Sequence, residues 1–178
     1  GAKTIKKGGG SALRVGDIPA GHAAVFRYDG TDIILLNPFE GIEPSFSVHK
    51  NSVNQNIASA TLTQITYGTE EWDTNSNFAA NNFTPTIAGK YHLFANYRFT
   101  AGVAGSVLQI YIYKNGSAYK QAAARGVDAG QIDVFVSADV DANGTTDYFG
   151  VYAQQNTGSD KVMEGNAAIT YFQGHKVN

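Results

Sequence analysis

FTPTIAGKYHLFANYRF, residues 83–99, alternates along its second half with the period of an extended strand. After Gly89, the side chains of Tyr91, Leu93, Ala95, Tyr97 and Phe99 fall on one face. Those of His92, Phe94, Asn96 and Arg98 fall on the other. The first face is wholly apolar or aromatic and is expected to lie on a core. The second should be polar if it meets water, yet it holds Phe94 between His92 and Asn96. That ring raises the question of what the second face is for.

The same alternation recurs downstream. In LQIYIY, Leu108, Ile110 and Ile112 oppose Gln109, Tyr111 and Tyr113. In IDVFVSADV, Ile132, Val134, Val136 and Ala138 oppose Asp133, Phe135, Ser137 and Asp139. In DYFGVYA, Phe149, Val151 and Ala153 oppose Tyr148, Gly150 and Tyr152. With FSVHKN, ATLTQITYG and AAITYFQGHKV, these runs make a series of short strands. Turn signals separate them at Lys114-Asn115-Gly116, Asp141-Ala142-Asn143-Gly144 and Asn156-Thr157-Gly158. The expectation is an all-β sandwich or barrel. Each outer face keeps aromatic residues, and two readings of them stay open. They are cross-strand pairs on a solvated sheet, or they form a subunit interface.

The rest of the chain is read around this series. Residues 1–11, basic and then glycine-rich, are expected to be a flexible tether. Residues 12–44 are expected to be a small β-hairpin stalk or attachment module, with strands at 23–28 and 32–37 around an Asp29-Gly30 turn. Gly41 and Pro44 punctuate its end, so the head is taken as residues 45–178. YKQAAARGV, from Tyr119, is the one stretch that could form a turn or two of helix.

Composition narrows the function classes. Only 16% of the 178 residues are charged and the net charge is −2, which gives no electrostatic footprint for nucleic acid or an anionic membrane. There is no cysteine, so disulfides, thiolate chemistry and Cys-based zinc sites are excluded. No apolar run approaches the about 20 residues a membrane span needs, and no signal peptide is visible. A glycine at position 1 leads to the expectation of a fragment of a longer chain.

Catalytic patterns are absent: the four histidines, His22, His49, His92 and His175, form no HExxH or HxH motif, and there is no GxSxG elbow or P-loop. The expectation is a protein that is not an enzyme. Glu70-Glu71 beside Trp72 reads as a solvated loop with one anchored aromatic, or as a sugar-stacking and acid patch. Asp139, Asp141 and Asn143 at alternate positions, then Gly144 and Asp147, copy the first half of an EF-hand loop. The bidentate glutamate of such a loop is missing, since its position holds Gly150. A hairpin turn built from Asx residues accounts for the same pattern, and calcium is the alternative; no other cofactor is expected.

Three motifs in order carry a family resemblance. Phe83, Pro85, Gly89 and Tyr91 run into the strand quoted above, LQIYIYKNG closes at Asn115-Gly116, and the C-terminal YFQGHKV holds Phe172 and Gly174. Residues 46–178 thereby resemble the complement C1q/tumour necrosis factor superfamily. The Asn/Thr-rich, cysteine-free form resembles versions in bacteriophage fibre and virion proteins. YDGTDIILLNP resembles the short β-modules that precede such tips. What the resemblance implies is a ten-stranded jelly roll assembled as a tight trimer, with the KYHLFANYRF strand on the sheet facing the threefold axis. Phe94 would then meet neighbouring chains, with His92 and Asn96 as polar partners. The implied function is a trimeric fibre or virion tip for receptor binding or adhesion to a cell-surface glycan or protein. A structural capping trimer without ligand is the alternative, and a glycan depolymerase a lesser one. Expected partners are two further copies, a host surface molecule and, through the N-terminal segment, other virion proteins. The expected location is the virion surface, with a secreted or cell-surface bacterial protein as the alternative. Ligand contacts are expected in loops, at Trp72 and Tyr119.

Overall fold

A computed structural model of the protein describes residues 3–13, 17–18, 21–37, 43–127 and 130–177. Gly41 lies outside the described residues. The chain divides into two compact units, Gly1–Glu43 and Pro44–Asn178.

The smaller unit holds β1 (Ile5–Lys7), β2 (Phe26–Tyr28) and β3 (Ile33–Leu35). Strand β3 lies between the other two, parallel to β1 and antiparallel to β2. The β2–β3 turn follows from its residues. The Asp29 carboxylate accepts the N–H groups of Thr31 and Asp32 at 2.9 and 2.8 Å, and Gly30 takes the left-handed φ of +102°. Those two bonds hold the Asp29 carboxyl below its ordinary value. The tether expected over residues 1–11 is corrected here: Ile5–Lys7 are a strand, because β3 offers a free edge and pairs Ile5 with Ile33.

The larger unit is built on β4 (Ser45–His49), β5 (Gln55–Ile57), β6 (Thr63–Gln64), β7 (Thr69–Asp73), β8 (Phe78–Ala79) and β9 (Asn82–Phe83). It continues with β10 (Gly89–Phe99), β11 (Val107–Lys114), β12 (Ser117–Arg125) and β13 (Ile132–Ala142). It ends with β14 (Phe149–Gln155), β15 (Lys161–Met163) and β16 (Tyr171–Val177). One sheet runs β7-β4-β16-β10-β13, with β15 and β5 added where β16 leaves β10. The other runs β12-β11-β14-β9-β8, with β6 beside β14. These two runs of five are the ten strands of a jelly-roll sandwich; β5, β6 and β15 are short additions. Among the described residues no helix is long and apolar enough to cross a membrane.

The core is where the alternation puts it. Tyr91, Leu93, Ala95, Tyr97 and Phe99 are fully buried, and so are Leu108, Ile110 and Ile112 across the sandwich. The buried hydroxyls find acceptors: Tyr91 donates to the Ile87 carbonyl and Tyr97 to the Gln109 carbonyl, each at 2.7 Å. YKQAAARGV, the helix candidate, is strand instead. Asn115 and Gly116, both at positive φ, turn the chain so that β12 pairs along β11, and Ala122 and Ala124 pack on the core. The alanines' helix preference yields to that packing.

Lys50 is a charge buried at 3% exposure whose Nζ donates only to neutral groups, the Gln55 Oε1, Thr66 carbonyl and Thr66 Oγ1, each at 2.9 Å. Burial pulls this ammonium below its ordinary value of 10.5. At this group the folded chain therefore binds fewer protons than the unfolded one below pH 10.5, and its contribution makes stability rise with pH as the folded ammonium titrates. From about the ordinary phenol value of 10.0, where the unfolded chain ionises, the buried Tyr67 and Tyr97, whose phenols burial pushes up, act in the opposite sense and lower stability as pH rises. Lys50→Met is expected to abolish the rise and leave the reversal. Denaturant titrations of both proteins at several pH values between about 8 and 11 check this; parallel curves would refute it.

Candidate functional site

Two solvent-facing sheet surfaces carry aromatic residues, and they differ in chemistry. On the first sheet, Phe135, Phe94 and Tyr171 from β13, β10 and β16 form a row. Their centroids lie 6.1 and 5.7 Å apart and their planes are near parallel. Phe135 is 59% exposed. Polar and charged side chains bound the row. At one end Arg98 makes a two-pronged contact with Asp133, both bonds 2.9 Å. At the other, His92 joins Asp139 through Nδ1 at 2.8 Å and Ser137 through Nε2 at 3.1 Å, and its ring lies 5.7 Å from that of His175. Asn96, expected to face a partner chain, donates its amide to its own chain's Ile169 carbonyl at 2.7 Å. An apolar centre within a polar rim is the anatomy of an interface patch.

The order Asp139–His92–Ser137 has the connectivity of a hydrolytic triad. It lies on an exposed sheet face, with the His92 and Asp139 side chains 40% and 69% exposed. Nothing there shelters a reacting carbonyl, and the trio serves as a surface network.

On the second sheet, Tyr111 and Tyr113 from β11 meet Tyr152 from β14. Tyr113 and Tyr152 are 4.3 Å apart at 36°, and Tyr111 sits edge-on to Tyr113 at 6.1 Å. Tyr111 donates to Gln154 Oε1 at 3.3 Å. Gln64 Nε2 donates to Asn82 Oδ1 at 3.1 Å. Partial burial, and then the neighbouring tyrosines, push the Tyr111 and Tyr152 phenols up.

The residues expected in loops are placed differently. Trp72, 49% exposed, is in β7, and Tyr119, 41% exposed, is in β12, so both are strand residues. They stand on the outermost strands of different sheets and do not converge. Tyr119 is the extra residue of a bulge between Ile112 and Tyr113's partners, with Lys120 Nζ 5.1 Å from its ring centre. The Glu70-Glu71-Trp72 patch is split by a second bulge. Glu71 accepts from Ser47 Oγ at 2.6 Å, while Glu70 lines a cleft of about 630 Å³ between β7 and the β8–β9 turn.

The EF-like run is a hairpin turn. Asn143 Oδ1 accepts the N–H groups of Thr145, Thr146 and Asp147. The Asp147 carboxylate takes the Asn115 amide at 2.8 Å, the Asn143 N–H at 2.9 Å and the Lys114 ammonium at 3.0 Å. These bonds, the Asn115 one foremost, hold its carboxyl low. Asp139 is bound to His92, and Asp141 sits opposite Lys90 on the ladder. The Asn143 and Asp147 oxygens are thus engaged within the chain, and the Lys114 ammonium lies on the Asp147 carboxylate. Among the described residues no group of three His, Asp or Glu is placed to hold a metal ion.

No protein-family model matches the chain. No curated protein sequence matches it either. Solved structures do. The globular domain of zebrafish complement 1qA protein aligns with TM-score 0.53 and 14% identity over 76% of this chain and 98% of that one. The fold is the C1q/TNF jelly roll. Murine APRIL aligns with TM-score 0.60 and 10% identity, covering 76% of this chain and all of its own (100%). Eiger TNF from S. frugiperda aligns with TM-score 0.55 and 12% identity over 77% of this chain and 94% of that one.

Proposed function

We propose that the protein is the trimeric tip of a bacteriophage fibre or related virion appendage, and that it attaches the particle to a host surface molecule. The observation that carries this reading is the Phe135–Phe94–Tyr171 row. The phenyl rings of Phe94 and Phe135, which have no polar handle, stand on a sheet face whose other side is already the core. A threefold assembly buries all three copies of the row. Each phenylalanine so buried contributes about 1.5–3 kcal/mol. Residues 45–178 are then the head. Residues 12–44 are the attachment module, whose exposed Val25, Phe26 and Tyr28 suit docking to other virion proteins. The reading is one of binding, not catalysis, at the virion surface.

A trimer presents each weak site three times, so individually millimolar contacts reach useful avidity, by roughly 10²-fold or more. The test is to measure the mass of the full chain by light scattering and to apply the labelled protein to a panel of bacterial cells. The expected result is a trimer that decorates some strains. A trimer that decorates none replaces this reading with a structural cap. A monomer removes the basis for both.

A further inference from the structure

We propose that the outward face of the second sheet is a saccharide platform, and that its ligand is a neutral glycan laid across Tyr113 and Tyr152. This rests on the attachment function and names the surface and the ligand class. The face holds Tyr111, Tyr113, Tyr152 and Gln154, with Gln64 and Asn82 alongside through the registers Tyr152↔Gln64 and Gly150↔Asn82. Across β12 the neighbours of Tyr111 and Gln109 are Gln121 and Ala123; the charged residues of that strand are Lys120, opposite Ile112 with its ammonium over the Tyr119 ring, and Arg125, opposite Val107. The tyrosines, Gln154, Gln64 and Asn82 offer hydroxyls and carboxamides, which suits a ligand that is polar and uncharged. The other sheet's face, with Arg98, Asp133, Asp139 and phenyl rings, has the opposite character.

A sugar ring has an apolar C–H face and a rim of hydroxyls. Tyrosine rings supply the flat apolar contact and keep a hydroxyl in reach of the rim. The amides are fixed before any ligand arrives: Gln64 is bound to Asn82, and Gln154 to Tyr111. Such preorganisation lowers the entropic cost of binding. Gly150 makes room. It lies directly across from Tyr113, and a Cβ there would stand 2.5 Å from Asn82 Oδ1 and 3.1 Å from Gln64 Nε2. With no side chain at 150, the amide pair closes onto the strand beside the Tyr152 ring.

The probes are lactose, maltose, cellobiose and chitobiose, with sialyllactose as the charged counterpart. Binding to the full chain is read by saturation-transfer NMR and titration. At least one neutral disaccharide is expected to bind, with transfer from tyrosine ring protons, and sialyllactose no more tightly than lactose. Tyr113→Ala with Tyr152→Ala is expected to weaken binding at least about 10-fold at unchanged assembly mass. Tyr113→Phe with Tyr152→Phe keeps the packing and removes two hydroxyls, and is expected to weaken it about 3-fold to 10-fold. Unchanged affinity in the phenylalanine variant overturns the platform. So does a fall in assembly mass in either variant, since the face would then be a seam between copies. If no disaccharide binds while labelled protein still decorates cells, the platform fails and the attachment function stands.

Discussion

Phe94→Asp is expected to split the proposed assembly of three chains into single chains of 19.0 kDa, with the fold of each retained. The substitution leaves the core alone. Leu93 and Ala95 on either side are fully buried and point to the opposite face. Phe94 itself is half-buried, covered by Phe135 and Tyr171 and by no core residue among its ring contacts. In a threefold arrangement the substitution brings three carboxylates toward one axis. Each must lose its hydration, and of the two cations on this strand Arg98 is held by Asp133 and Lys90 lies four residues away, opposite Asp141. The loss of three buried phenyl rings adds about 1.5–3 kcal/mol per ring. The total exceeds what a rim contact could offset, so dissociation should be complete at micromolar concentration. Light scattering and sedimentation of wild type and variant, with circular dichroism as the check on folding, decide the matter. A wild type that is itself a monomer refutes the interface, and so does a variant that stays trimeric.

What could be read from the sequence, and what could not, follows from the range of the interactions. The core face of β10 was legible because period-two alternation is a local property, and Tyr91 through Phe99 obey it without a break. The outer aromatics Tyr111, Tyr113 and Tyr152 were legible as outward for the same reason. That they meet was not, because it depends on the register that sets Tyr111 against Tyr152 and Tyr113 against Gly150. The same limit explains Asp139. Alternation with Asp141 and Asn143 suggested a shared cation. Only the ladder shows that its neighbour is His92, 47 positions away in the chain. Trp72 and Tyr119 read as loop residues because each sits at a bulge, where the alternation that marks a strand is interrupted. The alanines of β12 misled in the other direction. Helix propensity is local, whereas the Asn115-Gly116 turn commits the next nine residues to a strand, all but Tyr119 paired with β11. Ile5–Lys7 could not have been found alone, since a three-residue strand exists only by virtue of the edge it joins.

Phe46→Ala is expected to cost about 3–5 kcal/mol, the upper range for a buried aromatic. Phe46 is fully buried where the two sheets meet, and its neighbours come from both. Phe172, on its own sheet, approaches edge-on at 4.8 Å. Phe83 and Phe78, from the facing sheet, stack on it at 4.3 and 5.5 Å. The β16 backbone closes the remaining side: a Cβ on Gly174 would stand 2.9 Å from Phe46 Cε1 and 2.5 Å from Leu93 Cδ2. A glycine is therefore needed where β16 passes the ring, and that pairs Phe172 and Gly174 as one packing device. Three rings and a strand held by hydrogen bonds on both edges cannot all move in to fill the void. The cavity term therefore adds to the lost transfer energy. At roughly 2–4 °C per kcal/mol for a chain of this size, the melting temperature should fall by about 6–20 °C. Phe46→Leu, which keeps most of the volume, should cost about 1.5 kcal/mol or less. Denaturant unfolding of the two variants and the wild type measures all three. A loss below about 1 kcal/mol for the alanine variant would mean that the sheets are not joined through this ring. Phe46 faces away from the Phe94 row, since β4 alternates Phe46 and Val48 inward. The alanine variant should therefore keep the wild-type assembly mass wherever it is folded, the opposite of what Phe94→Asp does.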